Sequence, residues 1–172
     1  MKKNYAKIPY GLNVYNKEEM NAVLATLKNS TQMGKSVNTF EKKISKLFSK
    51  RYGLMVNSGS SAILLALKAI NFKKGSEIIV PCLNFGTAIS SISMCNLIPI
   101  FVDCEIDTLQ IDVDEIEKKI TKKTKAIIIV HLHGLSADIL SIKKLIKKTK
   151  IKIIEDCAQS HGSKLNNKYY ER

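Results

Sequence analysis

Three places in the sequence set small, acidic or aromatic side chains where an anion or a flat ring could be held. The first is Ser58-Gly59-Ser60-Ser61-Ala62, directly ahead of the apolar stretch Ile63, Leu64, Leu65, Leu67 and Ile70. Small residues opening a helix leave backbone N–H groups uncovered, and the helix dipole there favours an anion such as phosphate. The same run also fits a plain serine N-cap on a buried helix. The second place is Asp156-Cys157-Ala158-Gln159, which closes the apolar run Ile153-Ile154. A carboxylate ending a buried strand is costly without a partner. Its partner is either the protonated pyridine nitrogen of pyridoxal phosphate (PLP), whose charge makes the ring an electron sink, or a structural cap or salt bridge. Ala158 is small enough to let a flat ring approach, and Gln159 can hydrogen-bond a ring hydroxyl. The third place is Phe85, after the apolar run Ile78–Val80, where an aromatic ring either stacks on a flat ligand or fills the core.

Other candidates carry less. His131-x-His133, with His161 or Asp138 nearby, has the residue types of a metal pair. Structural and conformational uses suit it better, and no metal is expected. Asp103 is expected to cap the segment after its strand. A dinucleotide site is disfavoured because G-x-G-x-x-G is missing. Cys82, Cys95, Cys104 and Cys157 have no C-x-x-C pair and no regular spacing, so reduced thiols are expected.

The formal charge of +13 raises the question of nucleic acid. Nearly all the cations are lysines, with Arg51 and Arg172 the two arginines, and they are spread along the chain. Pairs such as Lys118-Lys119 and Lys143-Lys144 fall on the polar faces of expected helices, which reads as solvated surface, and no nucleic-acid partner is expected. The excess charge is compatible with an anionic substrate. Apolar runs such as Ala126–Val130 are strand-sized, so no membrane span is expected. Met1–Tyr5 leads into no apolar leader segment, and the expected location is the cytoplasm.

The elements that must position these groups follow from periodicity. Asn16 and Glu19 form a capping-box pattern ahead of the stripe Met20, Val23, Leu24 and Leu27. The pattern recurs at Asn38 and Glu41, followed by Phe40, Ile44, Leu47 and Phe48, with Ser30–Ser36 as a loop between. From Tyr52 onward, strands are expected at 54–56, 78–80, 98–102, 126–130 and 151–154. Helices are expected around 60–71, 86–95, 113–121 and 137–148. Apolar strands alternating with helices predict an α/β fold, a mostly parallel sheet with helices on both faces. In such sheets ligands bind beyond the carboxyl ends of the strands. Those ends read Asn57–Ser61, Pro81–Phe85, Asp103, His131–Gly134 and Glu155–Gln159, and the candidates cluster there.

In order and spacing these motifs resemble the DegT/StrS family of PLP-dependent nucleotide-sugar aminotransferases. The resemblance rests on Asn57-Ser-Gly-Ser-Ser-Ala-Ile63, Ile79-Val-Pro81, Phe85, Pro99-Ile-Phe-Val-Asp103, Asp112, the run Thr124–His131 and Ile154-Glu-Asp-Cys-Ala-Gln-Ser-His-Gly162. It extends from about Ile8 to the end. Ser60-Ser61 stands where the family usually has Thr-Ala, and Cys157 replaces an alanine. The Ser60 hydroxyl keeps a phosphate donor.

The resemblance implies a fold type I PLP-transferase large domain, incomplete at the C-terminus. Residues 1–51 would be an N-terminal helical segment, 52–172 part of the PLP-binding large domain, and the small C-terminal domain would be absent. It implies that Gly59, Ser60 and Ser61 hold the phosphate, that Phe85 and Ala158 cover the ring faces, that Asp156 meets the pyridine nitrogen and that Gln159 contacts the ring hydroxyl. It implies a nucleotide-linked keto sugar as substrate, glutamate as amino donor and a homodimer in the full-length form. The family's Schiff-base lysine falls beyond Arg172, and Lys164 and Lys168 match a short strand and turn instead. No catalytic residue is therefore assigned, and the chain is expected to be a truncated form, inactive alone. Two alternatives remain open: the family's dehydratase branch, with histidine at the lysine position, and a non-catalytic remnant or half that needs a second chain.

Overall fold

The computed structural model describes residues 11–32, 34–165 and 168–169. The start Met1–Tyr5, Ile8, Met33 in the expected loop and Arg172 lie outside them. The chain divides into two compact units, Met1–Thr39 and Phe40–Arg172. The first unit holds α1 (Lys17–Asn29), and α2 (Lys35–Leu47) crosses the division in sequence. At the start of α1 the Asn16 N–H donates to Glu19 Oε2 at 2.7 Å, as the capping-box pattern requires. That backbone N–H holds the Glu19 carboxyl below the usual carboxylate range. The apolar stripe Met20, Val23, Leu24 and Leu27 forms as a helix face but stays exposed.

The second capping pattern does not work as read. Helix α2 begins at Lys35, so Asn38 lies inside it. Glu41 instead accepts from the Met55 N–H through Oε1 at 2.7 Å. Gly53 passes so close that an added Cβ would sit 2.7 Å from the Glu41 carbonyl oxygen. The backbone of 53–55 is thus fastened to Glu41, and the expected strand at 54–56 does not form. A strand needs a hydrogen-bonded neighbour, and none of the sheet's four strands pairs with this run. Leu54 is 78% exposed in consequence.

The larger unit is an α/β layer. Helix α3 (Gly59–Ile70) leads to β1 (Glu77–Pro81), α4 (Thr87–Met94), β2 (Ile98–Val102), α5 (Val113–Lys119), β3 (Thr124–Val130), α6 (Ile139–Leu145) and β4 (Lys152–Asp156). Each expected helix is present with its ends within a few residues of the expected ones. The strands pair in the order β2-β1-β3-β4, all parallel. A two-stranded antiparallel hairpin, β5 (Lys164–Leu165) with β6 (Lys168–Tyr169), follows.

Side chains alternate across a strand, so each strand feeds two cores. Ile78, Val80, Ala126 and Ile128 pack with Leu67 of α3 and Ala88 and Ile92 of α4. Ile79, Ile127 and Ile129 pack on the other face with Ile116 of α5 and Ile139 and Ile142 of α6. Right-handed crossovers account for this division, because the chain moves one way from β1 to β2 and the other way from β2 to β3 and β4. Helix α3, apolar nearly all round, buries only Leu67 completely. Among the described residues no helix is long and apolar enough to cross a membrane.

Capping at α6 yields a test. Asp138 Oδ1 accepts from the Ser141 N–H at 3.0 Å. The Ser141 side chain first, and its N–H second, hold the Asp138 carboxyl below its ordinary range. A depressed folded-state pKa stabilises above the unfolded pKa, and the benefit is lost as pH falls through the folded value. Asp138→Ala should therefore cost about 1 kcal/mol at neutral pH. Urea titrations should show the gap between the two proteins closing on acidification below the normal aspartate range.

Candidate functional site

Parallel strands send all four carboxyl ends to one edge of the sheet, and the order β2-β1-β3-β4 places the switch in chain direction between β1 and β3. Helix α3 joins β1 through the short segment 71–76. Its 12 residues span about 18 Å, and a five-residue strand about 17 Å. Since α3 ends where β1 begins, its N-terminus returns to the carboxyl edge. Gly59, Ser60 and Ser61 are thereby brought to the same edge as Phe85 after β1 and Asp156 at the end of β4.

At the α3 terminus both sequence readings hold together. Ser58 is an N-cap whose Oγ accepts from the Ser61 N–H at 3.2 Å. The first helical bond runs from the Ala62 N–H to the Ser58 carbonyl at 3.0 Å. The N–H groups of Gly59 and Ser60 have no partner among the described residues and open outward with the helix dipole behind them. The cap uses one donor and leaves two.

Phe85 is 74% exposed, which removes the core-filling reading. Its N–H donates to Asn84 Oδ1 at 2.6 Å, holding the turn after β1. Along β4, Ile153 packs with the α5–α6 core and Ile154 with the α3–α4 core. Alternation then returns Asp156 to the face of α3 and Glu155 to the opposite face. Asp156 Oδ1 accepts from the Ala158 N–H at 3.0 Å, so the carboxylate is fixed by one oxygen and offers the other. Ala158 and Gln159 are exposed beside it. Gln159 Oε1 accepts from the His133 N–H at 2.7 Å.

The two histidines of H-x-H part company. His131 is 0% exposed, on the face away from Asp156. Its Nδ1 accepts from the Ala137 N–H at 3.2 Å, so the ring proton resides on Nε2, which faces Glu155 Oε2 at 3.3 Å. His133 is exposed in the left-handed region, with φ 56°. Asp138 caps α6, and His161 packs edge-on against Phe48 at 5.2 Å between ring centroids. Asp103 Oδ1 accepts from the next residue's N–H at 2.8 Å, a local cap. Among the described residues no group of three or more histidine, cysteine or acidic side chains could hold a metal ion. Burial pushes the Cys104 thiol up, and no disulfide forms among the described residues.

The profile of the DegT/DnrJ/EryC1/StrS aminotransferase family matches residues 13–170. The chain belongs to that family. It is 39% identical over 155 residues to the dTDP-3-amino-3,6-dideoxy-alpha-D-galactopyranose transaminase of Aneurinibacillus thermoaerophilus, covering 90% of this chain and 43% of the relative. It is 36% identical over 175 residues to the GDP-4-keto-6-deoxy-D-mannose 3-dehydratase of Yersinia pseudotuberculosis, covering 98% of this chain and 44% of the relative. The E. coli GDP-4-keto-6-deoxy-D-mannose-3-dehydratase solved with bound hydrated PLP superposes with a TM-score of 0.89 at 34% identity, covering 94% of this chain and 43% of that one. The chain thus spans less than half the length of these relatives.

Family motifs do not single out every polar group at the edge. Ser160 is 3% exposed, and neither its Oγ nor the buried Nδ2 atom of Asn84 has a hydrogen-bond partner among the described residues. Buried polar atoms left unmet are costly, and they mark places where a bound molecule or water completes the bonding. Gln110, between β2 and α5, was also silent in the sequence, since a glutamine in a loop carries no periodic signal. The corner it supports contains Gly134 at φ 80°, where an added Cβ would meet the Gln159 carbonyl oxygen only at an ordinary 3.5 Å. Gly134→Ala should lose about 1–2 kcal/mol through backbone strain rather than collision. A chemical-denaturation midpoint measures the loss, and an unchanged midpoint would contradict the strained-corner account.

Proposed function

We propose that residues 52–172 are part of a PLP-binding large domain and that the whole enzyme transaminates a nucleotide-linked keto sugar in amino-sugar biosynthesis. The observation that carries this reading is the convergence at one sheet edge of uncovered N–H groups, an exposed aromatic ring, a fixed carboxylate and a fixed amide. Their chemistry fits pyridoxal 5'-phosphate group by group. The N–H groups of Gly59 and Ser60, with the Ser60 and Ser61 hydroxyls, suit the phosphate. The Asp156 oxygen not engaged by Ala158 suits a protonated pyridine nitrogen. Gln159 suits the ring oxygen, and Phe85 and Ala158 suit the two ring faces. The unmet Asn84 and Ser160 atoms fit a site completed by a bound molecule.

When bound, the cofactor supplies an electron sink for negative charge developing at the amino-bearing carbon. This chain's residues bind and orient. Asp156 keeps a proton on the pyridine nitrogen by placing a negative charge beside it, and the α3 terminus offsets the phosphate charge. Glutamate is the proposed amino donor, the cytoplasm the location and a homodimer the full-length assembly. The proposed transamination also needs a lysine base to move a proton. A second reading, the dehydratase branch, is supported by the 36% identity to a GDP-sugar 3-dehydratase over 98% of this chain. Histidine rather than lysine at the position of the proton-moving base decides for it.

Pyridoxamine 5'-phosphate needs no lysine and tests the cradle directly. The chain should bind it saturably in moderate salt, and Asp156→Asn should weaken binding about tenfold or more, the worth of a hydrogen bond to a charged group. Equal affinity in the two proteins would sink the cradle. Borohydride treatment of the chain with PLP should leave no stoichiometric adduct at any single lysine. One fully modified lysine by mass spectrometry would show that the chain carries its own.

A further inference from the structure

The corner after β3 is tied down by hydrogen bonds to Gln110 and to β4, and one further bond joins it to Gln159. Gln110 is 3% exposed, and its one amide serves both backbone groups of Leu132. Gln110 Nε2 donates to the Leu132 carbonyl at 3.1 Å, while Oε1 accepts from the Leu132 N–H at 3.3 Å. The same Nε2 reaches the Thr108 carbonyl at 3.2 Å. The His131 N–H donates to the Asp156 carbonyl at 3.1 Å, fixing the corner to β4. Beyond Leu132 the chain takes two left-handed residues, His133 at φ 56° and Gly134 at φ 80°. This reversal aims the His133 N–H at Gln159 Oε1, 2.7 Å away.

A backbone N–H can only donate, so the Gln159 atom facing it is the oxygen. The amide's other branch, Nε2, has no partner among the described residues, and the residue is exposed at the edge beside Asp156. An unsupported glutamine can present either end to a ligand. This one presents a donor.

We propose that Gln110 and the Leu132–Gly134 corner are a positioning device that locks Gln159 as a hydrogen-bond donor to an anionic ring oxygen, a phenolate rather than a phenol. The proposal rests on the cofactor reading above and adds the polarity of one contact and the residue that sets it. Gln110 touches no ligand and acts through the Leu132 and His133 backbone.

The test compares pyridoxamine 5'-phosphate with its 3-deoxy analogue, which lacks the ring oxygen, by fluorescence titration at fixed salt. Wild type should prefer the oxygen-bearing compound about tenfold, the value of one charge-assisted hydrogen bond. Gln159→Glu keeps an acceptor for His133 but removes the donor, and should abolish that preference. Gln110→Leu should reduce the preference at least severalfold while leaving affinity for the 3-deoxy compound nearly unchanged. A general structural role would lower both affinities together, and that result overturns the positioning role. If Gln110→Leu does not fold, Gln110→Asn, whose amide is too short to bridge Leu132, takes its place. Amide exchange at His133 provides a second readout, protected in wild type and faster in Gln159→Ala. Binding of both compounds without preference in wild type overturns the donor proposal and leaves the cofactor reading standing. Binding of neither overturns both.

Discussion

Strand β3 has apolar side chains on both of its faces, and Ala126 to Ile129 are all fully buried. Such a strand cannot face water on either side, so helices must cover both. Each buried isoleucine contributes roughly 1.5–3 kcal/mol through its removal from water, which a one-sided sheet would forfeit for half of them. With right-handed crossovers, covering both faces requires the chain to reverse its direction of travel across the sheet, and it does so between β1 and β3. The carboxyl ends of β1 and β3 then lead away to different layers. The crevice at that edge follows from the burial of β3, and the polar groups there were free to take on chemistry.

The two faces of the edge divide the acidic groups. Glu155 and Asp156 are adjacent in sequence but point to opposite layers. Glu155 meets the Nε2 proton of the buried His131 and completes a part-buried structural pair. Asp156 meets a single backbone N–H among the described residues and keeps its other oxygen open. Neighbouring carboxylates of like charge would oppose each other's ionisation if both faced one pocket. Pleating separates them, so one serves stability and the other stays available.

What was legible in the sequence was whatever depends on local pattern. The runs at 78–80 and 126–129 are strands whose apolar residues are buried on both faces. The outer runs at 98–102 and 151–154 are only partly covered, with Ile98 and Phe101 exposed, and the same apolar pattern marks all four and the helices between them. The strand ends that carry Phe85, Asp156 and Gln159 follow from that alternation, and Ser60 reaches the same edge on the N-terminus of α3. Where pattern and partner separate, the reading fails. Leu54–Val56 looks like a strand but has no neighbour to pair with, and Glu41 takes its backbone instead. Glu41 also looked like half of a capping box, yet α2 starts earlier and its carboxylate turns to Met55. Gln110 and the left-handed His133 had no signature, because a side chain that mimics a peptide group across the fold is defined by distance in space, not spacing in sequence.

Holding a ligand and turning it over make different demands on this fold. Holding requires charges and donors fixed in place before the ligand arrives, so that little reorganisation is needed on binding. Asp156 tied to Ala158, Ser58 tied to Ser61 and Gln159 tied to His133 are fixed in this way by bonds made within the chain. Turnover also needs a group that moves a proton at the right step, a demand that fixing a ligand does not itself meet. The exposed Leu54 and the largely unburied α3 lie in the same unit as these fixed groups. Asp156, Ser58 and Gln159 are thus held by bonds within the chain, while Leu54 is exposed and α3 buries only Leu67. Binding can depend on those bonds without apolar coverage, because the cradle's polar groups are positioned by the sheet and its own corners.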